Sequence, residues 1–438
     1  MPTIPLLKRG IRITPYQQPG AAGPDARFLL ELDEHHYLIS AKARALVLAL
    51  LRTPATADAL EAAYAECSDA GSHPPARQLI ALAGQVLPAS LFAHSPVPRR
   101  AMPFLLSLTL LPAAAASRIT GALRWLFQPV LAAALVLAFV LLHALVLPAA
   151  MQDVHGTWSR QDALLLVAGL LLSGLWHELG HTAACRYFNC PHGAIGFGLY
   201  FVFPAWYADV SKAWRLAPRQ RAVVDLGGVY FQAVMLIGID AYALASGSVL
   251  ALKLVWLITF TMLFTLNPVF KFDGYWLLSD LSGLHNLHQR VRNSAAAWFA
   301  ARLGRPDTTA SKQPETRLQR WILYPYTLLS LGYFIYFALF LGTELASLAS
   351  LLPARLASHS QAVALAWAGL GQVLRNGLPL QDLLAVLAAC LPVASLLGAL
   401  VWPLVVLAAA VFFVDRLRRV LTEITSAVLA ARRTGRTG

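Results

Sequence analysis

The stretch LLLVAGLLLSGLWHELGH, residues 164–181, runs apolar and uncharged from Leu164 to Trp176 and ends in His177-Glu178-Leu179-Gly180-His181. Its length and composition predict a membrane-depth helix, and on a helix residues four apart project from the same face. His177 and His181 therefore present two imidazoles to one point. Glu178 stands beside them as a carboxylate able to take a proton from an attacking water, so the stretch carries the residue set of a hydrolytic zinc site. Two histidines and a glutamate at membrane depth cost several kcal/mol unless they pair or bind something, which argues against a chance HExxH.

The chain around this stretch has 438 residues, 58% of them hydrophobic and only 13% charged. That balance predicts a multi-pass membrane protein in contact with the lipid bilayer. A formal net charge of +13 is read as basic cytoplasmic loops and not as a nucleic-acid surface. The first residues, MPTIPLLKRGIRITPYQQ, lack the apolar core and small-residue cleavage site of a signal peptide, so the N-terminal part is expected in the cytoplasm. Cys67, Cys185, Cys190 and Cys390 show no framework spacing, which makes a disulfide scaffold unexpected.

Residues 1–95 are polar and distinct from everything after them. RFLLEL (27–32) and HYLIS (36–40) predict two strands around Asp33-Glu34. AKARALVLALL predicts a first helix, Thr56 caps a second through Cys67, and Pro75 to Leu87 supplies a third. The order is that of a small α+β, winged-helix-like domain. The segment HHYLISAKARALVLALLRTPATADAL resembles the leader-recognition domains (RiPP recognition elements) of enzymes that modify ribosomally made peptides. The resemblance implies a leader peptide added as a strand to the sheet edge. A cytoplasmic cap without a ligand is the alternative, since a free edge alone does not identify an occupant.

A Pro- and Arg-rich linker, Ser95 to Pro103, follows. Phe104 to Ala116 is apolar but too short to span and is expected at the interface, completing a linker region of 96–120. Spans are predicted over Trp125 to Leu147, Leu164 to Ala184, Ala222 to Leu244, Val249 to Leu266, Trp321 to Leu341 and Leu384 to Val414. The last is long and interrupted by Pro392 and Pro403. The expected fold is thus a polytopic α-helical membrane protein of about six transmembrane helices, with a core over 121–285 and further helices and a basic tail over 286–438. Loop charge orients it. Arg186, Lys212, Arg215, Arg219 and Arg221 crowd the segment after the second span, and Arg416, Arg418, Arg419, Arg432, Arg433 and Arg436 the tail. Positive loops belong inside, which places both termini in the cytoplasm and His177 and His181 near the cytoplasmic end of their span.

Catalytic zinc takes three protein ligands and keeps one position open, so a further ligand is needed. Asp273 is the best candidate. Pro268 should break the fourth span and Gly274 permits a close backbone turn, at the same depth as His177. Cys185 lies about 12 Å along the helix from His177, too far to share a metal. His192, Asp209 and Asp225 remain possible by depth but in weaker contexts. HELGH in a span followed by a broken helix bearing Asp-Gly resembles the intramembrane zinc proteases of the site-2 type over about residues 120–280. With the N-terminal domain, HELGHTAACRYF and NPVFKFDGYWLLSDL further resemble the peptide zinc metalloproteases of bacterial peptide-modification systems.

The resemblance implies Zn2+ held by His177, His181 and Asp273, with Glu178 as general base, in a bacterial inner membrane. Many site-2 proteases have an Asn eight residues before the ligand Asp. That position is Thr265 here, and Asn267, six before, is the candidate substrate contact. The implied reaction is intramembrane proteolysis of a peptide or transmembrane-protein substrate near the cytoplasmic face, in maturation or export of a ribosomally made peptide. Two alternatives stay open: a regulatory protease acting on a membrane-anchored signalling protein, and a non-proteolytic export or scaffold partner. No PDZ-like or CBS-like insertion is apparent, and a structural metal site has no need of Glu178. Ile195 to Val210, rich in aromatics and Gly, predicts a hairpin near the metal whose edge holds substrate extended or which is only structural. Asp240 is expected to pair with Lys253 across the turn at Gly247, while His143 has no evident partner.

Overall fold

In the computed structural model the described residues are 4–16, 27–32, 35–68, 74–95, 104–153, 160–200, 203–284, 286–292 and 317–375, with parts of 403–422. They are mostly helical. They group into two compact units, one of Met1–Tyr200 with Pro204–His285 and one of Phe201–Phe203 with Asn286–Gly438.

The first unit begins with three strands, β1 (Arg12–Tyr16), β2 (Arg27–Leu32) and β3 (His35–Ser40), in the antiparallel order β1-β2-β3. Three helices follow: α1 (Ala41–Leu51), α2 (Ala57–Cys67) and α3 (Ala76–Val86). Ser40 and Thr56 cap the first two through the amides of Ala43 and Ala59, satisfying donors that a helix start leaves open. Leu30, Leu46, Leu50, Leu60, Leu79 and Leu91 form the core, each essentially without solvent contact. Strand β1 is an addition to the two strands expected. Its Pro15 is tolerated because β1 has no neighbour on its outer side within this sheet.

Phe104 to Ala116, too short to span, takes up regular structure. It is strand β4 (Phe104–Leu111) running into helix α4 (Ala113–Leu123). Leu106, Leu108 and Leu110 alternate with Ser107 and Thr109, a period of two that suits a strand. A partner settles the matter: β4 pairs antiparallel with β5 (Ile195–Tyr200), and β6 (Phe203–Ala208) completes a sheet of order β4-β5-β6. Leu106 and Leu108 stay 68% and 62% exposed, an apolar strand face open to its surroundings.

The long helices of this unit are α5 (Pro129–Asp153), α6 (Arg160–Tyr187), α7 (Pro218–Ser246) and α8 (Val249–Thr265), followed by the short α9 (Asp273–Ser282). Gly247, in the left-handed region, ends α7 and turns the chain into α8. The second unit contains α10 (Arg317–Arg375). Among the described residues four helical segments are long and apolar enough to cross a membrane: Pro129–Gln152, Asp162–Tyr187, Pro218–Ser246 and Gln319–Leu351. They suggest a membrane protein. Helix α8 has 17 residues, about 26 Å of rise against roughly 30 Å of hydrocarbon, and falls short of that group. Of the expected sixth span, Leu384 to Val414, residues 384–402 lie outside the described ones.

Two buried polar groups within these helices meet. His143 on α5 places Nδ1 3.0 Å from Asp240 Oδ2 on α7, and its Nε2 3.2 Å from Thr259 Oγ1 on α8. His143 thus has two partners where none was expected, and one of them is Asp240. Helices α5, α7 and α8 pack side by side, and this nonlocal packing cannot be read from the α7–α8 hairpin alone.

Candidate metal centre

Helix α6 supplies the HELGH residues, and its period brings the two imidazoles together with ring centroids 4.7 Å apart. The third group comes from the start of α9. Between α8 and α9 the chain turns through Asn267 to Phe272, where Asn267 Oδ1 accepts from the Val269 amide at 2.9 Å. The return is tight: a β-carbon on Gly274 would stand 1.9 Å from the Leu266 carbonyl oxygen, so only glycine fits. Asp273 thereby opens α9 beside the HELGH helix. Its Oδ2 lies 3.0 Å from His177 Nε2 and 3.5 Å from His181 Nε2, and the two Nε2 atoms are 3.0 Å apart. Among the described residues these three form the one group of His, Cys, Asp and Glu close enough to share a metal ion.

The donor set fits zinc on three counts. Two imidazole nitrogens and a carboxylate oxygen are the ligand types of catalytic zinc, and bonds of about 2.0–2.2 Å to a tetrahedral ion put donors about 3.3 Å apart, within the observed spread. Asp273 Oδ2 is buried and makes no hydrogen bond of sound geometry, although it faces both imidazoles. Each histidine is also held from behind. His177 Nδ1 is 3.0 Å from Gln232 Oε1 and His181 Nδ1 is 2.7 Å from the Val224 carbonyl oxygen, both on α7. Acceptors on Nδ1 set the tautomer that leaves the Nε2 lone pairs facing the centre.

Sequence reasoning missed this supporting shell. Gln232 is itself fixed, its amide donating to Ser173 Oγ at 3.0 Å and Thr261 Oγ1 at 3.4 Å. Helix α7 approaches closely enough because of small residues: a β-carbon on Gly180 would meet the Gly227 carbonyl at 2.1 Å, and one on Gly228 would meet His177 Nε2 at 2.4 Å. The available signal was a lone Gln four residues after a Gly-Gly pair inside an apolar helix.

The remaining candidates fall elsewhere. His192 contacts Thr120 Oγ1 at 3.1 Å and the Gly193 carbonyl at 2.9 Å, and Asp209 accepts from the amide and hydroxyl of Ser211. Cys185 is buried in the hydrophobic cluster around α6. Asp225 is outside the three-residue group, one position past Val224, and Thr265 bonds back to the Met262 carbonyl. Glu178 has the Ala208 backbone amide, at the end of β6, against its carboxylate. The hairpin closes onto α6 where Gly174 leaves room: a β-carbon there would stand 2.4 Å from the Trp206 ring. Strand β6 is the edge of its sheet.

No protein-family model and no solved structure matches the chain. Over 146 residues it is 25% identical to YydH of Bacillus subtilis (strain 168), provisionally named a peptide zinc metalloprotease protein. The matched stretch is 32% of this chain and spans 57% of the relative's length. This distant homologue is consistent with a metalloprotease at family level.

Proposed function

We propose that the protein is an intramembrane zinc endopeptidase of the site-2 type, with His177, His181 and Asp273 as ligands and Glu178 as general base. The observation that carries the reading is the convergence of the two Nε2 atoms and Asp273 Oδ2 beside Glu178, at the end of a helix apolar enough to span. The zinc-metalloprotease name of the distant homologue supports it. Zinc, when bound, supplies Lewis acidity that acidifies water and polarises a scissile carbonyl. Glu178 takes the proton from the attacking water and returns it to the leaving amine. Gln232 and the Val224 carbonyl keep both imidazoles oriented throughout.

A helical substrate hides its carbonyls in its own hydrogen bonds and must be extended before attack. Edge strand β6, whose last amide lies against Glu178, is the surface along which a substrate strand is held, by backbone pairing. In this reading the β1-β2-β3 domain takes a leader peptide on β3, the substrate is a peptide or membrane protein cut near the cytoplasmic face of a bacterial inner membrane, and the role is maturation or export of a ribosomally made peptide. Asn267, committed to the turn at Val269, contributes to substrate only through its remaining amide group.

Metal analysis of purified protein should find about one zinc per chain, falling sharply in His177→Ala and Asp273→Ala. Glu178→Gln should retain the metal and lose cleavage of a fluorogenic peptide library. Cleavage by that variant at the wild-type rate would refute the role of Glu178.

A further inference from the structure

Arg221, the fourth residue of α7, is buried, and its guanidinium joins three elements. Nε and Nη2 donate to the two carboxylate oxygens of Asp280 on α9, each at 2.8 Å, and Nη1 donates to the Leu216 carbonyl at 2.9 Å. Nη2 also donates to the hydroxyl of Tyr16, the last residue of β1. The guanidinium lies 4.8 Å from the Tyr16 ring centroid and 5.4 Å from that of Trp214, and Trp214 meets Trp276 of α9 edge-on. A planar, bidentate, ring-stacked arginine holds its partners in one geometry, which a lysine would not.

What lies at the ends of this cluster gives it meaning. One turn after Arg221, the Val224 carbonyl holds His181. Seven residues before Asp280, two turns along the same short helix, stands Asp273. A second contact joins the same partners: Arg215 Nε donates to Glu31 Oε1 on β2 at 2.6 Å, with Nη2 on the other oxygen. Neither contact is explained by the stability of the N-terminal domain, whose core of leucines is complete without them.

We infer that the N-terminal domain is a positioning subunit of the metal centre: Tyr16 and Glu31 dock it on Arg221 and Arg215, and the docked domain holds α9, and with it Asp273, in register with His177 and His181. The inference rests on the metal reading above for its consequence on affinity, but the coupling of β1 to α9 stands apart from it. Tyr16 acts through Arg221 and is a positioning residue.

The test uses the full-length chain in detergent. Zinc affinity is read by competition with a fluorescent chelator, and backbone hydrogen exchange is followed over residues 273–282 and 27–40. Tyr16→Ala combined with Glu31→Gln should weaken zinc binding about tenfold, the scale of losing a supporting contact behind a ligand, and raise exchange in 273–282. Tyr16→Phe, which keeps the ring over the guanidinium but removes the acceptor, should give the same changes at smaller size. Lys8→Ala, which removes only a bond to the Ser90 carbonyl within the domain, should give neither. Unchanged zinc affinity and unchanged exchange over 273–282 in the double variant would overturn the inference. So would a uniform rise in exchange through α6 to α9 in Tyr16→Phe, because that is general destabilisation. A wild-type protein without zinc would refute the metal reading, and the exchange data would then decide the coupling by themselves.

Discussion

The β-carbon position of Gly228 lies 2.4 Å from Nε2 of His177, so the absence of a side chain on α7 is what gives that imidazole its place. Gly228→Ala should displace the ring and lower zinc affinity at least tenfold, as measured by chelator competition. Gly238→Ala, ten residues on with nothing within 4 Å of its β-carbon, should leave affinity unchanged and gain about 0.5–1 kcal/mol in helix stability.

Gln232 orients His177 from behind, and its own amide is anchored by Ser173 and Thr261. Gln232→Leu should keep the helices packed but cost about 10–100-fold in zinc affinity. Ser173→Ala, which removes only an anchor of that anchor, should cost less. Isothermal titration with zinc checks both, and equal affinities across the three proteins would remove Gln232 from the supporting shell.

Glu31 carries a pH prediction. The hydrogen bond from Arg215 holds its carboxyl below the ordinary value against the opposing effect of burial. A carboxylate with a depressed folded pKa contributes stability that is present above its unfolded pKa of about 4.3 and is lost as pH falls through the lower folded value. Docking of the N-terminal domain should therefore loosen below about pH 4.3. Exchange over residues 27–40, followed against pH, should show that acid limb, and Glu31→Gln should flatten it.

His143 contacts a fully buried carboxyl group, that of Asp240. His143→Leu removes the donor and should destabilise by about 3 kcal/mol, the scale of breaking one side of a buried pair. Thr259→Val removes the hydroxyl that donates to the Val255 carbonyl and contacts His143 Nε2, and should cost about 1 kcal/mol. Thermal midpoints in one detergent give the order, and a reversal would show that Asp240 does not depend on His143.

Gly174 is where the β5–β6 hairpin closes on α6. Gly174→Val should push Trp206 away and carry β6 from Glu178, lowering peptide cleavage by at least tenfold while the zinc content stays near one. Loss of zinc in this variant would instead mean that the hairpin supports the metal ligands.

Much of the site is legible in the sequence because its first part is local. The i, i+4 spacing of His177 and His181, with Glu178 between them, follows from helix period alone, and apolar length marks α5, α6 and α7 as helices able to span. Asp273 was legible one step further, from Pro268, Gly274 and the shared depth of two segments. The N-terminal cap at Thr56 was likewise written in a single residue and its spacing.

What only the tertiary structure decided is whatever depends on which helix lies beside which. Gln232, the Val224 carbonyl and the Gly227-Gly228 pair have roles only because α7 crosses α6 at close range. His143 meets Asp240 because α5 joins the α7–α8 hairpin, and Phe104 to Leu111 is a strand because β5, more than eighty residues later, offers it a ladder. Tyr16 reaches Arg221 across 205 residues. Period and propensity act over a few residues, whereas these contacts are selected by burial and hydrogen-bond satisfaction among segments that the order of the chain does not make neighbours.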